Sequence, residues 1–112
     1  MIWNEPFQDC IEMFSDLTNL IEIDLSNFDA SKIESMEFMF YDCINLKSIN
    51  LNNIRTSSLK SLSRTFYNCK SLLFLDLSSL NTSLVTNIAS LFFNCESLTS
   101  IIFGNFDTSN VQ

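Results

Sequence analysis

Apolar residues recur along this chain at a fixed interval of 26, with no gap anywhere. Phe14, Phe40, Phe66 and Phe92 occupy one phase, and Leu17, Cys43, Cys69 and Cys95 another. Leu20, Leu46, Leu72 and Leu98 follow, then Ile23, Ile49, Leu75 and Ile101, then Leu25, Leu51, Leu77 and Phe103. Phe28, Ile54, Leu80 and Phe106 complete the set. A constant period in this range points to units that bury their apolar side only against neighbouring units.

Within each unit the spacing changes character. Leu46-x-x-Ile49-x-Leu51 puts Ile49 and Leu51 on one face and Ser48, Asn50 and Asn52 on the other, which predicts a short strand. Strands are expected near Glu22–Leu25, Ser48–Leu51, Phe74–Leu77 and Ser100–Phe103. Ile33, Met36, Met39 and Phe40 then follow helical spacing and predict a short helix with one apolar stripe. Leu59, Leu62 and Phe66, then Val85, Ile88, Leu91 and Phe92, repeat the stripe. Ser31 with Glu34 fits a capping box at its start, with Asp29 as a competing cap. The polar ends Ser15-Asp16, Tyr41-Asp42, Tyr67-Asn68 and Phe93-Asn94 close the stripe. The expected fold is therefore an α/β, right-handed solenoid with one short parallel strand and one short helix per 26 residues.

The chain reads as a single repeat domain over residues 1–112, with a half repeat at 1–16, repeats at 17–42, 43–68 and 69–94, and a half repeat at 95–112. Phe7, Cys10, Met13 and Phe14 fall on the phases of Ile33, Met36, Met39 and Phe40. Beginning and ending in mid-repeat, without polar caps, it is expected to be a piece of a longer array and to self-associate end to end.

Leu20-x-x-Ile23-x-Leu25 matches the opening of the leucine-rich-repeat pattern, although Phe28, Ile54, Leu80 and Phe106 stand where an Asn usually follows. The phrases Met39-Phe40-Tyr41-Asp42-Cys43 and Asn105-Phe106-Asp107-Thr108-Ser109-Asn110-Val111 resemble the repeat of BspA-like leucine-rich-repeat surface proteins. The departures are Leu17 for Cys, Ala30 for Thr and Ile102 for the strand Asp. The resemblance implies a leucine-rich-repeat fold, a cell-surface or secreted location, and adhesion or recognition through protein binding. It carries over no catalytic residue.

Composition narrows the function classes. Hydrophobic residues make up 46% of the chain, enough for a continuous core. Six Lys and Arg against thirteen Asp and Glu give a net charge of −7, which disfavours nucleic acid and anionic lipid as partners. No stretch has the roughly 18 uninterrupted apolar residues of a membrane span. Residues Met1 to Pro6 lack the basic and apolar regions of an export signal.

Candidate chemistry reduces mostly to structure. The chain contains no His, and Cys43, Cys69 and Cys95 show no C-x-x-C spacing, so neither a metal centre nor a cofactor site is expected. Equivalent thiols in stacked units point the same way, which favours a buried, unlinked role over a disulfide. The ladders Thr56, Thr82, Thr108 and Ser31, Ser57, Ser83, Ser109 have no base beside them and are read as capping and inter-unit hydrogen bonds. Asn81-Thr82-Ser83 is a glycosylation sequon that matters only in a eukaryotic secretory route.

The outward strand positions are the candidate binding surface. Phe74 and Ile102 interrupt a polar, acidic face, with Asp76, Asn50, Asp24 and Glu22 around them. An exposed aromatic beside an aliphatic residue inside a polar rim is the usual form of a contact anchor. The expected function is a non-enzymatic protein-binding array at the cell surface, taking a protein or cell-surface ligand. An intracellular interaction scaffold is the alternative, and an enzyme is the weakest reading because no acid/base constellation is present.

Overall fold

Residue pairs one period apart lie side by side in the computed structural model, which describes residues 10–26 and 28–112. Phe7 and the rest of the expected half repeat before residue 10 fall outside the described residues. Four strands of three residues are present: β1 (Glu22–Asp24), β2 (Ser48–Asn50), β3 (Phe74–Asp76) and β4 (Ser100–Ile102). β1 pairs with β2 in parallel, with Ile23 opposite Ile49, and β3 pairs with β4 in parallel, with Leu75 opposite Ile101. β2 lies beside β3, but the two pairs do not join into one sheet. The alternating pattern explains each strand: Ile49 and Leu75 point into the core while Ser48 and Phe74 point out.

The expected helix does not form; the described residues contain no helix at all. Two features prevent it. First, alternate amides leave the local chain. The N–H groups of Met36, Phe38, Phe40 and Asp42 donate to the carbonyls of Ser61, Ser63, Thr65 and Tyr67, each 25 residues on, at 2.9–3.2 Å. The amides between them close tight turns, with Met39 donating to Met36, Tyr41 to Phe38 and Cys43 to Phe40. Second, left-handed backbone recurs on two phases. Glu12, Phe38, Arg64 and Ser90 have φ of 53–59°, and Asp16, Asp42, Asn68 and Asn94 have φ of 60–63°. An α-helix needs every amide bonded four residues back at negative φ. The apolar stripe is nevertheless buried, with Ile33, Met36, Met39 and Phe40 all at 4% exposure or less. It is carried on successive turns instead.

The capping box fails for the same reason. The Ser31 N–H bonds the Asp29 carboxylate at 3.0 Å, and Glu34 pairs with Lys60 at 2.9 Å. Nor is the body an elongated solenoid. Its extents are 33 × 29 × 21 Å and its radius of gyration is 12.8 Å, close to the roughly 13 Å of an ordinary globular domain of this length. The strand-and-helix solenoid is thus corrected to a compact, helix-free body with four short strands in two parallel pairs.

The core is built from like on like. Phe14 stacks on Phe40 at 5.5 Å, Phe40 on Phe66 at 5.7 Å and Phe66 on Phe92 at 6.0 Å, with rings within 13° of parallel. Leu25, Leu46, Leu59, Leu62, Leu72, Leu75 and Leu77 are buried around them. Buried hydroxyls are bonded: Thr65 Oγ1 donates at 2.8–2.9 Å to the carbonyls of Leu62 or Met36, and Thr56 Oγ1 accepts from the Asn81 N–H at 2.9 Å. Thr82 Oγ1 accepts from the Asp107 N–H at 2.7 Å. Gly104 ends β4 at φ +59°, where an added Cβ would meet Ser78 Cβ at 2.8 Å, so this close approach needs glycine.

Two substitutions test the core and two test the backbone. Phe66→Ala is expected to destabilise by about 3–5 kcal/mol, because it removes the centre of the ring stack. Lys60→Ala, which breaks only an exposed ion pair, should cost about 0–1 kcal/mol. Equal denaturation midpoints for the two variants would place Phe66 outside the core. At Ser90 a left-handed turn and a helix predict opposite signs. Ser90→Gly should be neutral or stabilising here, and Ser90→Val should cost about 1–2 kcal/mol; in a helix interior the glycine would instead cost about 0.5–1 kcal/mol. Urea midpoints of the pair decide between them.

Candidate functional site

The outward strand positions fall into two rows. Glu22, Ser48, Phe74 and Ser100 form one; Asp24, Asn50, Asp76 and Ile102 form the other. Phe74 is 44% exposed and Ile102 46%. The register sets Phe74 opposite Ser100 and Ile102 opposite Asp76, so the apolar pair is diagonal rather than in one row. Leu73, just before β3, is also 51% exposed, as is Ile21 on the same phase at 50%, and sequence reasoning missed both. Glu22, Asp24 and Asn50 share a shallow depression of about 440 Å³ across β1 and β2, together with Ile23, Ser48 and Ile49. The six predicted residues therefore sit on the same kind of position in two groups: three on the first strand pair and three on the second.

Three of them also build local backbone. The side-chain oxygens of Asp24, Asn50 and Asp76 accept the N–H two residues on, from Ser26, Asn52 and Ser78, at 2.9–3.0 Å. Such turns end β1, β2 and β3. Hydrogen bonds from the Ser26 side chain and amide hold the Asp24 carboxyl below its ordinary value, and Ser78 does the same for Asp76. Both carboxylates are thus charged and fixed in direction.

The thiols are positioned as core donors. Cys43, Cys69 and Cys95 donate to the carbonyls of Phe14, Phe40 and Phe66 at 2.9, 3.2 and 3.1 Å. None is in a disulfide. Burial pushes the Cys43 thiol up to about 11, and raises Cys69 and Cys95 as well. These are poor nucleophiles and poor metal ligands near neutral pH. Leu17, on the cysteine phase, is 45% exposed and does not share their burial. Among the described residues no cluster of His, Cys, Asp or Glu could hold a metal ion, and no helix is long and apolar enough to cross a membrane.

A second surface feature lies along the turns. Tyr41 stacks on Tyr67 at 4.8 Å and Tyr67 on Phe93 at 4.7 Å. Beside them Asn68 donates to Asp42, and Asn94 to Asn68, each at 2.8 Å. The Arg64 guanidinium sits 5.7 Å over the Phe38 ring. The sequence signal was present, since an aromatic recurs on this phase in three units, but the pairs were read only as helix ends.

The described residues thus form a helix-free body with two parallel strand pairs and an exposed strand face. The family described as Mycoplasma protein of unknown function, DUF285, matches residues 8–112, and the chain belongs to it. That finding corrects the resemblance to BspA-like leucine-rich-repeat proteins. The turns and the left-handed phases, which that resemblance did not anticipate, account for spacing that looked like a strand-and-helix repeat. No curated protein and no solved structure matches the chain.

The raised thiols give a signed pH dependence. Unfolded thiols ionise near about 8.5, whereas Cys43 holds its proton to about 11. The unfolded chain therefore binds fewer protons between these values, and folding stability should fall as pH rises through that window and not between pH 6 and 8. At pH 8, Cys43 and Cys69 should react with an aromatic disulfide reagent far more slowly in the native chain than in urea, with Cys95 ahead of both. Mass-spectrometric labelling rates check this, and equal native and unfolded rates at Cys69 would contradict its burial.

Proposed function

We propose that the chain is a non-enzymatic protein-binding module whose partner covers the outward strand face around Phe74. The carrying observation is the half-exposed pair Phe74 and Ile102, on phases where the other strands carry Glu22, Ser48 and Ser100, and Asp24, Asn50 and Asp76. A solvated face has no need of a Phe there, whereas a contact surface gains an apolar centre with a polar rim. Supporting the non-enzymatic reading, the thiols are protonated core donors and the acids on the face are engaged in turns. An exported adhesin and an intracellular scaffold would present this face alike. Protease treatment of intact cells separates them, cutting the first and sparing the second.

Phe74→Ser is expected to leave the denaturation midpoint nearly unchanged and to weaken a verified partner by about 1–3 kcal/mol. Titration calorimetry of wild type and variant against the same partner provides the measurement. Unchanged affinity would move the site to another face.

A further inference from the structure

The charge on the strand face limits what can cover it. Its outward strand positions carry Glu22, Asp24 and Asp76 and no cation. Lys47, immediately before β2, is the one basic residue adjoining a strand. Of the other five cations, Lys60 pairs with Glu34, Arg64 lies over Phe38, Arg55 and Lys32 lie near Asp29, and Lys70 stands four residues before β3. A neutral apolar partner lying on Phe74 and Ile102 would strip water from neighbouring carboxylates and return nothing, which is strongly unfavourable. An acidic partner would add repulsion to a chain of net charge −7.

We infer that the occupant of this face is an extended cationic polypeptide segment, with apolar side chains on Phe74 and Ile102 and Lys or Arg side chains on Glu22, Asp24 and Asp76. This rests on the binding-face reading above and adds the chemistry of the partner. The spacing suits the face, because side chains two residues apart on one side of an extended segment are about 6.6 Å apart, like outward positions along a strand, so an apolar and a cationic residue at i and i+2 can meet Phe74 and Asp76 together. Two of the carboxylates are already oriented by the Ser26 and Ser78 amides, so pairing with them orders fewer side-chain bonds than pairing with free surface acids.

The chain itself supplies a clean test. Asn50 occupies the same phase as Asp24 and Asp76 and makes the same turn through its amide oxygen at 3.0 Å. Asp24→Asn with Asp76→Asn therefore removes charge and retains the turn. The probes are fluorescein-labelled peptides of equal length with Ser at every second position, so that Lys and Leu, Ser and Leu, or Glu and Leu alternate along one face of the extended segment; called Lys-Leu, Ser-Leu and Glu-Leu, they are titrated with the full chain by anisotropy. Lys-Leu should bind at least about tenfold more tightly than Ser-Leu and weaken between about 0.05 and about 0.5 M salt. The double Asn variant should lose about fivefold or more for Lys-Leu and none for Ser-Leu. Phe74→Ser should weaken both peptides, and Glu96→Gln, on another phase, neither.

If Ser-Leu binds as well as Lys-Leu and still needs Phe74, the cationic inference fails and the face survives. If Lys-Leu binding ignores both Phe74→Ser and the double Asn variant, it is attraction to net charge alone; the inference is overturned and the face is not the site for this probe. If sedimentation shows the chain associating with itself through Phe74 in the absence of peptide, the occupant is a second copy and the inference is wrong. Absence of binding by all three peptides at high concentration also overturns it.

Discussion

Every second amide in the turn segments up to Asn68 is committed to a carbonyl 25 residues further along the chain, and the rest of the structure depends on that commitment. Met36, Phe38, Phe40 and Asp42 donate forward to one unit, and Leu62, Arg64, Phe66 and Asn68 donate forward to the next. A buried backbone amide without a partner is costly, so these bonds cannot lapse independently. They fix equivalent residues of successive units beside one another. The Phe stack, the thiol-to-carbonyl bonds and the bridges Ser35 to Ser61 to Asn87 are all consequences of that register.

The same constraint explains residue choices that look arbitrary in isolation. For alternate amides to point at the neighbouring unit, the chain between them must turn back sharply. Left-handed residues at the third position of the turns Met36–Met39 and Phe40–Cys43 achieve this. Asp and Asn serve well at one of the two left-handed phases, as Asp16, Asp42, Asn68 and Asn94 do. Ser35, Ser61 and Asn87 accept the amide two residues on and hold the entry to the next turn. The thiols of Cys43, Cys69 and Cys95 each donate to the carbonyl of the stacked phenylalanine one unit back, Phe14, Phe40 and Phe66, giving a small side chain one directional task.

Reading the sequence located the period, the strands and most of the core. Glu22, Ser48, Phe74 and Ser100 begin strands as the alternation required, and Phe40, Phe66, Leu46 and Leu72 are buried as their phases required. The helix was not legible, because spacing of three and four residues is common to helices and to runs of turns, and Phe38, Arg64 and Ser90 carry left-handed backbone without a side chain that announces it. The expectation of a strand-and-helix solenoid, in place of the compact, helix-free body, followed from that error. At the candidate site, the exposure of Phe74 and Ile102 was legible from outward phase alone. The turn-forming role of Asp24, Asn50 and Asp76 was not, since it depends on where each strand stops.

Two aromatic features reach the surface, and they differ in what they leave available. In the row Tyr41, Tyr67 and Phe93 the rings stack at 4.7–4.8 Å, so the faces between them are already in contact. The row spends its ring surface on holding successive units together and offers a partner chiefly edges and hydroxyls. Phe74 stacks on no other ring among the described residues, and on the strand face only Ile102 beside it is apolar. A large ring that contributes nothing to internal stacking, in a chain that stacks rings wherever its phases coincide, is what supports the proposed contact surface. The turns at Asp24 and Asp76 do not require charge, because the uncharged Asn50 makes the same turn on the same phase, so the carboxylate charge there is free of that structural task.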